Sequence, residues 1–88
     1  MIDKRFIEYR DLVNEEKPET LERFWNYLNG HQKHMILMYV YRLKVEEDFT
    51  GFIEVYRFQQ WKLTLDHVPN FILKMNPDKL KKEALCFG

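Results

Sequence analysis

The sequence predicts an α+β fold: an N-terminal helical hairpin, a three-stranded antiparallel meander and a C-terminal helix. Three observations carry that expectation. Strict alternation runs through Tyr41-Arg42-Leu43-Lys44-Val45-Glu46 and again through Trp61-Lys62-Leu63-Thr64-Leu65-Asp66; a two-residue period places apolar side chains on one face of a strand. Apolar residues in the first 29 positions recur instead at three- and four-residue spacings, the period of a helix. Asn76-Pro77 is a helix-start signal, with Asn at the cap and Pro at the first helical position. An all-α bundle is the alternative, because Met35 to Val40 is apolar throughout and carries Met and Leu, which favour helices.

Residues 2–16 read as the first helix. Ile2, Phe6, Tyr9 and Val13 line one face, Asp3 suits the positive end of the helix dipole, and fraying is expected at Glu15–Lys17, ahead of Pro18. Residues 18–29 read as the second. Pro18 opens it, Leu21, Phe24, Trp25 and Leu28 form its apolar stripe, and Asn29-Gly30 closes it.

The three strands then span Met35–Val45, Phe52–Phe58 and Trp61–Val68, after a connection through His31 and His34. Glu46 to Gly51 forms the first turn, with Gly51 able to take a positive φ. Gln59-Gln60 forms the second, although it lacks the Gly or Asn of a tight hairpin. Wound as a helix, 52–66 shows no continuous apolar stripe, since Glu54, Arg57 and Lys62 interrupt it. Val68-Pro69-Asn70 breaks the pattern, and Phe71–Met75 is one helical turn or a short extended piece. In the last helix Leu80, Ala84 and Phe87 face inward, while Lys79, Lys81, Lys82 and Glu83 face solvent and Gly88 trails.

Eighty-eight residues make one small domain, 1–88, with seven Phe, five Tyr and two Trp but a single Ala and no Ser. Large rings compensate for the small size by burying much area each. Fourteen basic side chains balance fourteen acidic ones. Nucleic-acid binders usually carry a basic excess, because phosphate neutralisation supplies much of their affinity. Near-zero net charge also gives little protection against self-association. One cysteine, Cys86, excludes an internal disulfide and suits a reducing compartment. MIDKRFIEYR lacks the apolar core of a secretory signal, and the longest apolar run, Met35 to Tyr41, is too short to span a membrane. A cytoplasmic protein is expected. The wealth of Lys, Asn, Ile, Phe, Tyr and Met fits an AT-rich coding sequence, as in low-GC bacteria and their phages.

No catalytic set, metal site or cofactor motif is expected. His31 and His34 have helical i, i+3 spacing, yet no Cys pair or second His pair completes a zinc set. Asp66 and His67 would point to opposite faces of a strand, a serine nucleophile is absent, and no Gly-rich phosphate loop occurs. Lys79, Lys81 and Lys82, with Lys74 nearby, form the one basic cluster, which reads as a solvated helix face.

The expected site is the outer face of the sheet. With Tyr41, Leu43, Val45, Ile53, Val55, Leu63 and Leu65 turned toward the helices, the opposite face shows Arg42, Lys44, Glu54, Tyr56, Phe58, Lys62 and Thr64. Tyr with Arg is the composition of protein-binding hot spots. Aromatics among Arg and Lys also stack single-stranded bases. The expected function is therefore a small non-enzymatic protein-binding or regulatory module. It would act through Arg42, Lys44, Tyr56, Phe58, Lys62, Lys79 and Lys82, on another protein or a second copy of itself. Weak nucleic-acid binding is the alternative.

Overall fold

The computed structural model describes residues 4–13 and 18–87, and among them the chain is all helix and turn. Six α-helices follow one another: α1 (Lys4–Val13), α2 (Pro18–Tyr27), α3 (Gly30–Val45), α4 (Ile53–Trp61), α5 (Asn70–Leu73) and α6 (Pro77–Phe87), with a 3₁₀ turn at Leu65–His67 before α5. The expected three-stranded meander is therefore wrong, and the all-α alternative holds. Expectations resting on Ile2, Asp3, Glu15–Lys17 and Gly88 lie outside the described residues.

The two outer thirds match their helical spacing. In α1, Phe6 is fully buried, with Tyr9 and Val13 packed partly against the core. In α2, Phe24, Trp25 and Leu28 are buried. In α6, the Asn76 side chain caps the start by accepting from the Lys79 amide at 2.8 Å, and Leu80 and Ala84 are fully buried.

The middle third is where the sequence misleads, for three separate reasons. Asn29-Gly30 does not close α2 with a left-handed glycine, since no described glycine has positive φ. It opens α3 instead. Asn29 Oδ1 accepts from the Gln32 amide at 2.8 Å, while the Asn29 amide donates to Gln32 Oε1 at 3.0 Å. This reciprocal capping box satisfies two otherwise unpaired donors. From that start the apolar run Met35–Val40 winds as helix, burying Ile36, Leu37 and Val40. The alternation at 41–46 has no sided meaning, because Leu43 and Val45 are both exposed.

Second, α4 does have a buried stripe, at Glu54, Phe58 and Trp61. Spacings of four and three make it a helix face, but one of its members is a carboxylate. Glu54 is only 5% exposed. Arg42 of α3 compensates it, its Nε donating to Glu54 Oε1 at 3.0 Å.

Third, α4 ends at a residue that does not announce a helix end. Lys62 takes the left-handed conformation with φ 56°. Its amide bonds to the Gln59 carbonyl at 3.2 Å, and the Leu63 amide bonds to the Phe58 carbonyl at 2.9 Å. That pair of bonds is a Schellman closure, with Lys where Gly is usual and Leu63 buried near Phe58. Gln59-Gln60 thus lies inside α4, not in a hairpin turn. Trp61 and Leu63 are buried on either side of the closure, while Leu65 is exposed. Their two-residue spacing straddles a helix end and is not a strand.

The helices share one core. Helix α3 is its axis, packed chiefly along α6 and also against α4 and α5, while α1 rests on α2 and on the 3₁₀ turn. Phe6 meets Phe24 at 5.4 Å and Trp61 at 6.2 Å between ring centroids, and Tyr39 stacks on Phe58 at 3.7 Å. Further polar ties, besides that of Arg42 to Glu54, cross between helices. His34 Nδ1 donates to the Ala84 carbonyl at 2.7 Å, joining α3 to α6. Lys44 Nζ donates to the Leu73 and Met75 carbonyls at 2.7 and 2.6 Å, placing a cation where the end of α5 leaves acceptors open.

Candidate protein-docking surface

The expected sheet face does not exist, and its residues are dispersed. Phe58 is core, at 2% exposure beneath Tyr39. Arg42 is engaged on several sides: it binds Glu54, lies 3.6 Å from Glu46 and places its guanidinium 4.1 Å from the centre of the Phe52 ring. Lys44 holds the end of α5. Tyr56 is 58% exposed on α4, and Lys62 is exposed at that helix's closure. Lys79 and Lys82 are exposed on α6, as their helical register required. The seven residues are spread over α3, α4, its closure and α6, and two of the cations, Arg42 and Lys44, are engaged in internal bonds.

Another surface is assembled from residues far apart in the chain. The break at Pro69 directs the chain into the single turn of α5, where the Ile72 and Leu73 amides bond back to the Pro69 carbonyl at 3.0 and 3.2 Å. Ile72 goes into the core, and its neighbour Phe71 is left 51% exposed. The Phe71 ring stands edge-on to Trp25 of α2, with centroids 6.0 Å apart and planes at 89°. Leu21 and Glu22, one turn earlier on α2, join Pro69, Asn70 and Phe71 around a half-open depression of about 230 Å³. That volume lies below the roughly 300–1,000 Å³ of small-molecule sites. It matches one inserted side chain.

Beyond Trp25 the surface continues onto α3 and α6. Lys33 Nζ lies 5.8 Å from the Trp25 ring centre and 5.4 Å from that of Phe87, so the cation sits between two π faces. The row Phe71, Trp25, Lys33, Phe87 is thus a mixed aromatic and cationic strip, with the carboxylate of Glu22 at its far rim. Glu22 is exposed and bonded to no described side chain.

Sequence reasoning assigned Trp25 and Leu21 to the α2 stripe but missed Phe71, Lys33 and Phe87 as surface partners. The usable signal was local and small. In Pro69-Asn70-Phe71-Ile72-Leu73 three successive apolar residues follow a helix start, and a single helical turn cannot bury all three on one side.

Among the described residues, no three His, Cys, Asp or Glu side chains are grouped so as to hold a metal ion, and no helix is long and apolar enough to cross a membrane. Burial pushes the proton affinity of the His67 imidazole below the ordinary value. At the other end of the molecule, the Thr50 hydroxyl and amide both donate to Asp48 and hold its carboxyl below the usual range. Comparison with protein-family models, with characterised proteins and with solved structures gave no match.

Proposed function

We propose that the protein is a small binding module without enzymatic activity that captures a segment of another protein in the depression beside Phe71. The observation that supports this reading is a large ring held half-exposed at the rim of a depression of one-side-chain size, braced edge-on by Trp25. Exposed aromatics around a concave, partly desolvated spot are what anchors a binding hot spot. The occupant is a bulky apolar side chain, Leu, Phe or Trp, flanked by Arg or Lys. Glu22 supplies a carboxylate at the rim that is bonded to no described side chain, whereas the charge of Lys33 is already shared between two rings. Action in the cytoplasm belongs to the same reading and suits the single exposed Cys86.

Selection of a random heptapeptide display library on the intact protein tests it. The reading expects enriched peptides that pair an aromatic or Leu with an adjacent basic residue. They should bind at least tenfold more weakly to Phe71→Ala, and Glu22→Lys should reverse the charge preference. No enrichment, or peptides indifferent to both substitutions, overturns it. A concentration-dependent dimer that Phe71→Ala abolishes would assign the surface to a second copy of this chain instead.

A further inference from the structure

We propose that the outward face of α4 is a self-association surface, on which a second copy of this chain lays its own α4 antiparallel about a two-fold axis. Helix α4 is built inside out. Its single carboxylate, Glu54, is turned into the core at 5% exposure, while Ile53 and Tyr56 stand outward at 49% and 58%. Ile53, Tyr56 and Gln60 are spaced by three and four residues, so they form one strip on the side away from Phe58 and Trp61. No charged residue belongs to that strip. Arg57 only borders it, and its Nη1 donates to Gln60 Oε1 at 2.8 Å. The exposed face of α6, by contrast, carries Lys79, Lys81 and Lys82.

Charge selects the occupant and its direction. The turn that leads into α4 carries Glu47 and Asp48, both exposed, and the exposed Lys62 directly follows the last residue of the helix. The strip therefore has an acidic end and a basic end. The Thr50 hydroxyl and amide hold the Asp48 carboxyl below the usual range, so it stays charged at neutral pH. Neither Glu47 nor Lys62 forms an ion pair with a described residue. An antiparallel second copy sets Lys62 of each chain toward Glu47 and Asp48 of the other, with Tyr56 near the axis. A parallel copy would set like charges side by side. The antiparallel arrangement also opposes the two helix dipoles. Such a two-fold contact needs one surface complementary to itself, and fourteen basic against fourteen acidic side chains leave no net repulsion between copies. Nine residues of helix give a strip about 13 Å long. That is too short to bury the roughly 800 Å² per partner of a standard interface, so the dimer is weak, with a Kd of about 100 µM.

Sedimentation equilibrium of the whole chain between about 10 µM and about 1 mM brackets that affinity and tests the proposal. The average mass should rise from one chain toward two. Backbone amide shifts that move on dilution should centre on Ile53 to Lys62 and spare α6. Tyr56→Asp should weaken association at least tenfold, and Ile53→Lys, on the same strip, is the independent check should the first variant fail to fold. Lys62→Glu and Glu47→Lys should each weaken self-association at least threefold. An equal mixture of those two variants should associate more tightly than either alone, because the mixed pair restores Lys62 opposite Glu47 and Asp48 at one end. Phe71→Ala should leave association unchanged, which separates this surface from the depression beside Phe71. A chain that stays monomeric up to about 1 mM, association indifferent to both strip variants, a mixture no tighter than its components, or loss of association in Phe71→Ala overturns the proposal.

Discussion

Replacing Arg42 with Met should be among the most damaging single changes this domain can take, although the side chain is partly exposed. Glu54 is nearly out of reach of water, with 6% of its side chain accessible, and Arg42, with 25%, is its one charged partner among the described residues. Removing one member of a buried pair leaves an uncompensated charge and costs about 3–5 kcal/mol. The partial exposure of Arg42 lets water reach one side, so the expected loss is about 3 kcal/mol, including the stacking of the guanidinium on Phe52. Glu54→Leu should cost much less, about 1 kcal/mol, because Arg42 keeps Glu46 at 3.6 Å and access to solvent. The double variant Arg42→Met/Glu54→Leu replaces the pair by apolar packing and should return to within about 1 kcal/mol of the parent. The assay is urea unfolding followed by far-ultraviolet circular dichroism. At a slope of about 1 kcal/mol per molar, Arg42→Met should lower the midpoint by about 3 M. A single variant within about 0.5 kcal/mol of wild type, or a double variant equal to the sum of the singles, would refute the reasoning.

Other expectations follow from the same contacts. Lys62→Gly should stabilise the protein by about 0.5–1 kcal/mol, since φ of 56° costs a side chain and not a glycine; a loss in chemical denaturation would count against the Schellman closure. Lys44→Met should destabilise by about 1 kcal/mol through the two open carbonyls at the end of α5, and should raise hydrogen exchange at Lys74 and Met75 first. Stability should rise as pH climbs toward 6.5 from below: in that window the unfolded chain binds the His67 proton more fully than the folded chain, whose imidazole affinity is lowered by burial. In His67→Gln, thermal melts across that window should lose this part of the slope. Phe71→Ala should cost only about 1 kcal/mol of stability, through the lost edge contact with Trp25, while removing peptide binding, because half the ring is already in water.

The parts of the fold legible in the sequence were those where local signals and tertiary packing agree. Pro18 at the start of α2, the four-residue stripe from Leu21 to Leu28, and Asn76-Pro77 ahead of α6 each needed no distant partner to be read. The middle third was illegible because its decisive partners are remote or unusual. Glu54 belongs to a buried stripe through an arginine twelve positions away, and a hydropathy pattern counts it as solvent-facing. Lys62 closes α4 in the place of the glycine a reader looks for. Leu43 and Val45 are apolar but exposed, which turned a helical end into a false alternation. The docking surface was hidden for a related reason: Leu21, Trp25, Lys33, Phe71 and Phe87 lie on four helices, and only the fold makes them neighbours. What the sequence did convey was composition, rich in aromatics and in Lys and Arg, but not which of them the fold makes neighbours.

The measurement that bears most directly on this account is a backbone assignment by nuclear magnetic resonance, with nuclear Overhauser contacts from the Phe58 ring. The account predicts helical carbon shifts without interruption from Gly30 to Val45 and from Ile53 to Trp61, a sign change at Lys62, and strong contacts between the rings of Phe58 and Tyr39. Extended shifts through Phe52–Phe58 with cross-strand Hα–Hα contacts to Met35–Val45 would contradict it, and with it the pairing of Arg42 to Glu54 on which α4 rests.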